Sequence, residues 1–451
     1  MESDLKQWFE ERGEGEVFEL FQSSEKGHLC HPSSHLPQTS FPVIFYDNHL
    51  YFERLWKLES RLIEAFKTTL SSEAALRFTL PDLKNSGLLK EQQAAIHLAM
   101  QNRLTFITGG PGTGKTFTAG HLIREMLTQA PDLRVAIAAP TGRAVSQLKE
   151  SLLKYVPETS FSALTLHRLL ELWREEVDLL PYDLILADEA SMIDLEMMVR
   201  LFESLKPGAR LILMGDPDQL PPVEAGSVFA DLTPFAPRAH LKCCLRAELQ
   251  EIVDFAERIR CQDAQGAIRF LDHASAIRWN DTGDFNFPVA EKMTLTPLKK
   301  GKWGSEGLNQ KALKENPHGP YPILITRNQD SLELYNGDQG MLTHLKPRLG
   351  DKAHFGSRKI PALLLAHFEF AWALSIHKSQ GSEFPSVRLL WPEEATDFGV
   401  AALYTAVTRA KKHVEIWATR TTLTKLIETP SHRRSGIKRR LETTPENVMV
   451  F

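Results

Sequence analysis

Residues 106–118 read Phe-Ile-Thr-Gly-Gly-Pro-Gly-Thr-Gly-Lys-Thr-Phe-Thr, a spacing of residue types suited to holding phosphates. Glycines at 109, 110, 112 and 114 let the backbone curl its amides around an anion. Lys115 adds a positive charge, and the Thr116 hydroxyl can ligate Mg²⁺. Gly110, Pro111, Gly112, Thr113, Gly114, Lys115 and Thr116 are therefore the expected nucleotide contacts. A glycine turn that binds nothing would not need the apolar run before it or the helical run after it (Ala119, Leu122, Ile123, Met126, Leu127).

Asp188 and Glu189 end another apolar run. A magnesium ion wants a carboxylate beside the threonine hydroxyl, and water attacking a γ-phosphate wants a second one next door. The expectation is Thr116 and Asp188 for the metal and Glu189 for the water. Asp-Glu pairs are common on any surface, so the strand-end position carries this assignment. Gln219, in Gly-Asp-Pro-Asp-Gln-Leu after a further apolar run, can bond both a γ-phosphate oxygen and the water, although Asp-Pro-Asp also suits a plain turn. The Gln92 amide donates and accepts together and could read an adenine; taken alone, an exposed helical glutamine is the simpler reading.

These residues need a scaffold that brings strand ends together. Apolar strand-like runs at residues 104–108, 134–139, 182–187 and 210–214 alternate with helical stretches, which predicts a parallel sheet with ligands at the carboxyl ends of its strands. A second alternating section begins near Leu241, with a helix at 248–260, a strand at 322–326, and helix or strand at 372–377, 386–391, 401–408 and 414–418. Residues 336–366 are richer in Gly, Pro, Lys and Arg and read as a small β insertion. Residues 1–85 differ again: a strand or two at 43–52, then helical spacing through Leu55, Leu58, Leu62, Ile63 and Phe66, without a catalytic constellation. They read as a docking or structural module, joined by a linker at 83–87.

At 451 residues, two or three domains are expected. The net charge of −4 argues against a wholly basic nucleic-acid coat but leaves room for a local basic groove. The N-terminus is charged from its first residues, unlike a secretory signal, and no run approaches 18 apolar residues, so neither export nor a membrane span is expected and the protein should be cytoplasmic. Cys30, Cys243, Cys244 and Cys261 form no C-x-x-C pair and read as reduced thiols.

The second half carries further motifs: Cys-Leu-Arg-Ala at 244–247, Ile-Thr-Arg-Asn at 325–328 with Tyr-Asn-Gly-Asp at 335–338, Ala-Leu-Ser-Ile-His-Lys-Ser-Gln-Gly-Ser-Glu-Phe at 373–384, and Leu-Tyr-Thr-Ala-Val-Thr-Arg-Ala-Lys at 403–411. In order, they resemble the later motifs of superfamily 1 helicases. Residues 109–116, 139–143, 165–168, 188–192 and 215–226 resemble the earlier ones. The wording Gly-Gly-Pro-Gly-Thr-Gly-Lys-Thr, Asp-Glu-Ala-Ser-Met and His-Lys-Ser-Gln-Gly-Ser-Glu-Phe is similar to the RecD-like branch, over residues 88–420.

That resemblance implies an α/β fold of two RecA-like P-loop domains with parallel sheets (86–235, then 236–335 with 367–430). It adds a small β-barrel insertion at 336–366, a small N-terminal α+β partner-docking module at 1–85 and a basic tail at 431–451. It implies ATP and Mg²⁺, 5′-to-3′ movement on single-stranded DNA from duplex ends, and RecB-like and RecC-like partners in recombination and repair. Charge on the transferring phosphoryl calls for cations from the second sheet, and Arg246 and Arg409 match those positions. By resemblance, Glu383 faces the nucleotide from the second domain. The DNA strand would be gripped by Pro140, Thr141, Arg143, Thr165 and His167 on one domain and by Ser375, His377 and Lys378 on the other.

Ser375 stands where relatives often have threonine, which keeps the hydroxyl. The stretch between Leu170 and Tyr182 leaves room for only a short strand-separating hairpin, and no nuclease constellation is present, so cleavage would fall to a partner. The basic run at 433–440 reads first as a solvated tail and second as a DNA or partner contact. A stand-alone RecD-like helicase and a mainly regulatory DNA-binding ATPase subunit remain as alternatives.

Overall fold

The structure is a computed structural model that describes residues 43–46, 49–171, 179–222, 226–244, 250–430, 435–442 and 448–450. The chain forms two compact units, Met1–Ala65 with Gly436–Phe451, and Phe66–Ser435.

In the first unit, β1 (Val43–Tyr46) and β2 (His49–Phe52) form an antiparallel hairpin, and the C-terminal strand Val448–Val450 pairs with the other edge of β1. The helix Glu53–Ser71 begins directly after β2 and buries Leu62 and Ile63, part of the apolar spacing seen in the sequence. The expected solvated tail is here partly built into the fold. Arg440 bonds the buried carboxylate of Glu59 at 3.3 Å, stacks 3.7 Å over the Trp56 ring, and Gly436 N–H donates to Glu59 at 2.9 Å. Desolvation raises the Glu59 carboxyl despite these contacts. Arg433 and Arg434 lie outside the described residues.

The second unit holds two parallel sheets. The first comprises β3 (Leu104–Gly109), β4 (Val135–Ala139), β5 (Phe161–Thr165), β6 (Leu184–Ala187), β7 (Arg210–Gly215) and β8 (Arg238–Leu241), in the order β5-β4-β6-β7-β3-β8. Every residue of β3, β4, β6 and β7 is buried, because helices cover both faces, and this explains their unbroken apolar runs. β8 pairs in parallel with β3 (Gly109↔Leu241), so the first sheet passes the domain boundary expected at 235/236. As an edge strand it exposes Arg238 and His240 and shows no apolar run.

The segment before the first sheet also departs from the expected 1–85 module. Arg210 donates to Leu76 O at 2.9 Å and Met100 O at 2.7 Å and lies 4.9 Å over the Phe78 ring, fastening residues 76–78 to the first sheet.

The second sheet is β9 (Ile277–Asn280), β10 (Met293–Thr296), β16 (Ala373–Ser375), β17 (Phe384–Leu390) and β18 (Ala410–Trp417), in the order β16-β10-β17-β18-β9. Phe255, Leu403 and Leu423, from the helices Gln250–Arg260, Gly399–Val407 and Arg420–Glu428, fill the core against it. Between β10 and β16 lie β11 (Tyr321–Ile325), β12 (Gln339–Leu342), β13 (Lys352–Phe355), β14 (Arg358–Pro361) and β15 (Phe368–Phe370). They form an antiparallel sheet, open among the described residues, with β14 and β15 at its edges where a closed barrel was expected. The strand expected at 322–326 in the parallel sheet is β11 of this antiparallel one, with Ile323 opposite both Gly340 and Phe370. A short apolar strand reads the same in either setting. No helix is long and apolar enough to cross a membrane.

Candidate functional site

β3 ends at Gly109 and the helix Lys115–Gln129 begins six residues further on, after a turn with Gly112 at φ 74° and Gly114 at φ 83°, a region glycine enters freely. A Cβ on Gly109 would fall 2.7 Å from Leu241 O, so the edge strand β8 also demands glycine there. Within the turn, Thr113 Oγ1 donates to Gly110 O at 2.8 Å. Lys115 Nζ donates to Gly109 O at 2.7 Å and Gly110 O at 3.1 Å, which holds the ammonium against the loop.

The sheet order places the ends of β6, β7 and β3 side by side. Asp188 follows β6, and its Oδ1 accepts the Glu189 N–H at 2.8 Å. Glu189 has φ 52°, a left-handed backbone that costs a non-glycine residue roughly 1–2 kcal/mol and that positions a side chain a regular strand end would not. Burial, then the neighbouring Glu189 charge, pushes the Asp188 carboxyl up to about 6, while Lys115 pulls it down. Gln219, after β7, is buried; its Nε2 donates to Asp216 Oδ2 at 3.3 Å, and its Oε1 has no partner among the described residues.

A cavity of about 490 Å³ joins these groups to the second sheet. Lys115, Thr116, Asp188, Glu189 and Gln219 line one wall; Gly381, Glu383, Arg409 and Lys411 line the other. Arg409 is 3 % exposed and, among the described residues, bonds neutral oxygens: Thr405 O at 3.1 Å, Ser382 O at 3.4 Å and Thr408 Oγ1 at 3.4 Å. Its charge is therefore fixed in place with no carboxylate bonded to it among those residues. Glu383 pairs with Lys411 at 3.2 Å. Arg246 lies outside the described residues. Thr116, Asp188 and Glu189 offer hard oxygen donors with surplus negative charge, a set that fits Mg²⁺.

Three groups that the residue-by-residue reading missed tie the walls together. Tyr404 Oη donates to Asp216 Oδ2 at 2.9 Å, Leu220 N–H donates to Thr405 Oγ1 at 2.6 Å, and Gln380 Nε2 donates to Leu220 O at 2.5 Å. All three lie inside the motif stretches at 373–384 and 403–411, which was the available signal.

A second cavity, of about 340 Å³, shares Gly110, Pro111 and Thr113 with the first and adds Asp218, His240, Glu257 and Arg260. Gln92 lines neither cavity. It is buried, its Oε1 accepts Leu89 N–H at 3.0 Å, and its Nε2 donates to Thr113 O at 3.3 Å. Both ends of its amide thus brace a helix start against the phosphate loop.

At the far edge of the first sheet, Ala139 and Thr165 are in register, so Pro140, Thr141 and His167 follow neighbouring strand ends. Thr141 Oγ1 accepts Ala144 N–H and Thr165 Oγ1 accepts Arg168 N–H, each at 3.3 Å; His167 is exposed. On the second sheet, Ser375 ends the edge strand β16 and its Oγ accepts Lys378 N–H at 3.4 Å; His377 is half-buried. Lys378 Nζ bonds both Glu369 oxygens at 2.6 Å. Arg143, expected in the same grip, is half-buried among other charges. Burial lowers its pKa, the charges of Asp338 and Glu383 act on it, and a Cβ on the adjacent Gly142 would fall 2.3 Å from Tyr335 Cβ. The segment after β4 meets the turn at residues 335–338 here.

Comparison with known proteins agrees with this arrangement. A family model described as an AAA domain matches residues 87–282, and one described as a UvrD-like helicase C-terminal domain matches residues 370–416. The chain is 32 % identical to the RecBCD enzyme subunit RecD of Mycolicibacterium smegmatis, covering 89 % of this chain and 84 % of that protein. The chain belongs to the RecD family.

Identity to the ATP-dependent RecD2 DNA helicase of Deinococcus radiodurans is 28 %, covering 81 % of this chain but only 54 % of that longer protein. The fold of this chain is also like that of a Pif1 helicase solved in work on DNA unwinding at forked duplexes, with a TM-score of 0.50 and 18 % identity, covering 74 % of this chain and 94 % of that one. In this chain the sheet order sets two groups of residues apart: the ends of β6, β7 and β3 lead into the first cavity's lining, and β4 and β5 carry Pro140 to His167 to one side.

Proposed function

We propose that this chain is an ATP-dependent 5′-to-3′ DNA helicase working as the RecD subunit of a RecBCD-type helicase and nuclease complex, at duplex ends during double-strand-break repair and homologous recombination. One observation carries this reading: Lys115, Asp188 and Glu189 from one sheet and Arg409 from the other line a single cavity. An ATP site split between two sheets makes hydrolysis sensitive to how those sheets meet.

Gly110 to Thr116 wrap the phosphates, and Lys115 exchanges its loop carbonyls for phosphate oxygens. Thr116 and Asp188 would hold Mg²⁺, which supplies charge neutralisation on the phosphate oxygens. Glu189 accepts a proton from the attacking water, Gln219 orients that water through its unpartnered Oε1, and Arg409 stabilises charge on the transferring group. Arg246 is proposed for the same task from its motif position. Loss of the γ-phosphate is relayed through Asp216, Leu220 and Gln219 to Tyr404, Thr405 and Gln380. The second sheet then shifts against the first, and the grips at Thr141 to His167 and at Ser375 to Lys378 move along single-stranded DNA in turn.

The family likeness supports the 5′-to-3′ polarity, the RecB-like and RecC-like partners and a cytoplasmic setting, and the N-terminal unit is proposed as the partner-docking module. No nuclease role is proposed for this chain. The test is reconstitution with RecB-like and RecC-like subunits, followed by unwinding of duplexes with a 5′ or a 3′ tail. The reading requires 5′-tail unwinding that depends on this subunit's Glu189. Efficient unwinding by the isolated chain, with no partner recovered, would favour a stand-alone helicase. Negligible turnover in the complex would favour a regulatory subunit.

A further inference from the structure

A third cavity, of about 590 Å³, lies away from the nucleotide site and is lined by Phe285, Lys302, Trp303, Gln310 and Lys311, with the carboxylates of Asp284 and Glu306. The loop at residues 298–304, Leu-Lys-Lys-Gly-Lys-Trp-Gly, gives Gly301, Lys302 and Trp303 to this lining; Lys299, Lys300 and Lys302 are exposed and Trp303 is half-buried. Trp303 packs edge-on against Phe285 at 5.0 Å, and Lys302 Nζ sits 4.4 Å from its ring centre. Lys299 makes one long contact, 4.0 Å, to Glu306.

The loop is rigidly mounted. Ser305 N–H donates to Leu298 O at 3.0 Å and Glu306 N–H to Lys299 O at 3.1 Å. A Cβ on Gly304 would fall 2.3 Å from Lys300 O, and one on Gly307 2.3 Å from Gly301 O, so the backbone lies directly on the start of the helix Ser305–Glu315. The loop also adjoins the proposed DNA grip of the second sheet. Thr296 at the end of β10 is in register with Ser375 at the end of β16, and Thr296 Oγ1 donates to Trp303 O at 2.9 Å. Paired strands lie about 5 Å apart, so Trp303 is anchored to the immediate neighbour of Ser375.

We infer that the loop at residues 298–304 is a further single-stranded DNA station, in which Lys299, Lys300 and Lys302 hold phosphates and the ring of Trp303 stacks a base. The two carboxylates favour this division of labour: they repel phosphates from the cavity and can accept hydrogen bonds from base amino groups. The inference rests on the proposed DNA-translocating function and lengthens its track on the second sheet. Aromatic stacking beside a cationic loop gives grip without sequence preference.

The test uses the full chain and fluorescent oligo(dT) of roughly 5 and roughly 16 nucleotides, spanning the usual range of single-strand site sizes. Replacing Lys299, Lys300 and Lys302 together by Ala should weaken binding of the longer oligonucleotide about tenfold. It should also lower the slope of log affinity against log salt by about 2, since each lost phosphate contact on single strands is worth about 0.7. The shorter oligonucleotide, held between the sheets, should bind within about twofold of wild type. Trp303→Leu should weaken the longer one about tenfold and Trp303→Phe should restore most of it, a rescue that a purely structural tryptophan would not track with oligonucleotide length. If wild type binds DNA and all these variants bind both lengths as wild type does, the inference is overturned while the proposed function stands. If wild type binds neither oligonucleotide, the proposed function falls and this inference with it.

Discussion

The Tyr404 hydroxyl donates to Asp216 Oδ2 at 2.9 Å, and both side chains are buried. One belongs to a helix over the second sheet and the other follows β7 of the first, so this bond crosses the two walls of the ATP cavity. Burial, then the Asp216 charge, holds the Tyr404 pKa well above its ordinary value, and the hydroxyl remains a donor at any working pH. Tyr404→Phe leaves a buried carboxylate short of a partner, a loss of about 1–3 kcal/mol. DNA-stimulated turnover should fall about tenfold with KM for ATP within about twofold, because the lost bond relays hydrolysis and does not hold the nucleotide. Steady-state ATPase assays with and without oligo(dT) measure this.

Glu189→Gln keeps shape and removes the base. Turnover should fall by about 10²–10⁴ while ATP binding persists, a split read by single-turnover kinetics beside equilibrium nucleotide binding. Equal loss of binding and turnover would reassign Glu189 to holding the nucleotide.

Asp218 reports on charge crowding beside the phosphate loop. Burial and then the Asp216 carboxylate push it up to about 6, against the nearby Arg260. The folded state therefore binds this proton more tightly than the unfolded chain, and stability is lost as pH rises from the ordinary carboxylate value through about 6. Asp218→Asn should match wild type near pH 4 and become more stable above pH 6. With the side chain 35 % exposed, screening reduces the gain to roughly 1 kcal/mol. Thermal melts of both proteins across that range give the comparison.

Lys378 is held by Glu369, at 2.6 Å to both oxygens. Exposed pairs of this kind are worth up to about 1 kcal/mol, so DNA phosphate can compete for the lysine. Glu369→Gln should raise affinity for single-stranded DNA about two- to fivefold at low salt, with the gain disappearing at high salt. Fluorescence anisotropy in a salt series reads it.

In the N-terminal unit, Arg440→Ala strands the buried Glu59 carboxylate and should cost about 3–5 kcal/mol of that unit's stability, seen as faster proteolysis. Adding Glu59→Gln should recover much of the loss.

The phosphate loop, Asp188, Glu189 and the strands that carry them were legible because each chemical group directly follows an apolar run, and a buried parallel strand admits little else. The placement of Gln92, Arg143 and Lys378 was not legible. Each is decided by partners distant in sequence or in another element: Thr113 O, the Asp338 and Glu383 charges, and Glu369. β11 was misplaced because five apolar residues read alike in a parallel and an antiparallel sheet, and β8 was missed because an edge strand exposes Arg238 and His240. The pairing of the C-terminal strand with β1 joins opposite ends of the chain, where no local pattern reaches.

The central claim is that Lys115 and the groups across the cavity couple ATP hydrolysis to DNA. Its most direct measurement is ATP turnover of wild type and Lys115→Ala with and without oligo(dT). The account predicts turnover that rises with DNA in wild type and is abolished in the variant, whereas DNA-stimulated turnover that survives Lys115→Ala would contradict it.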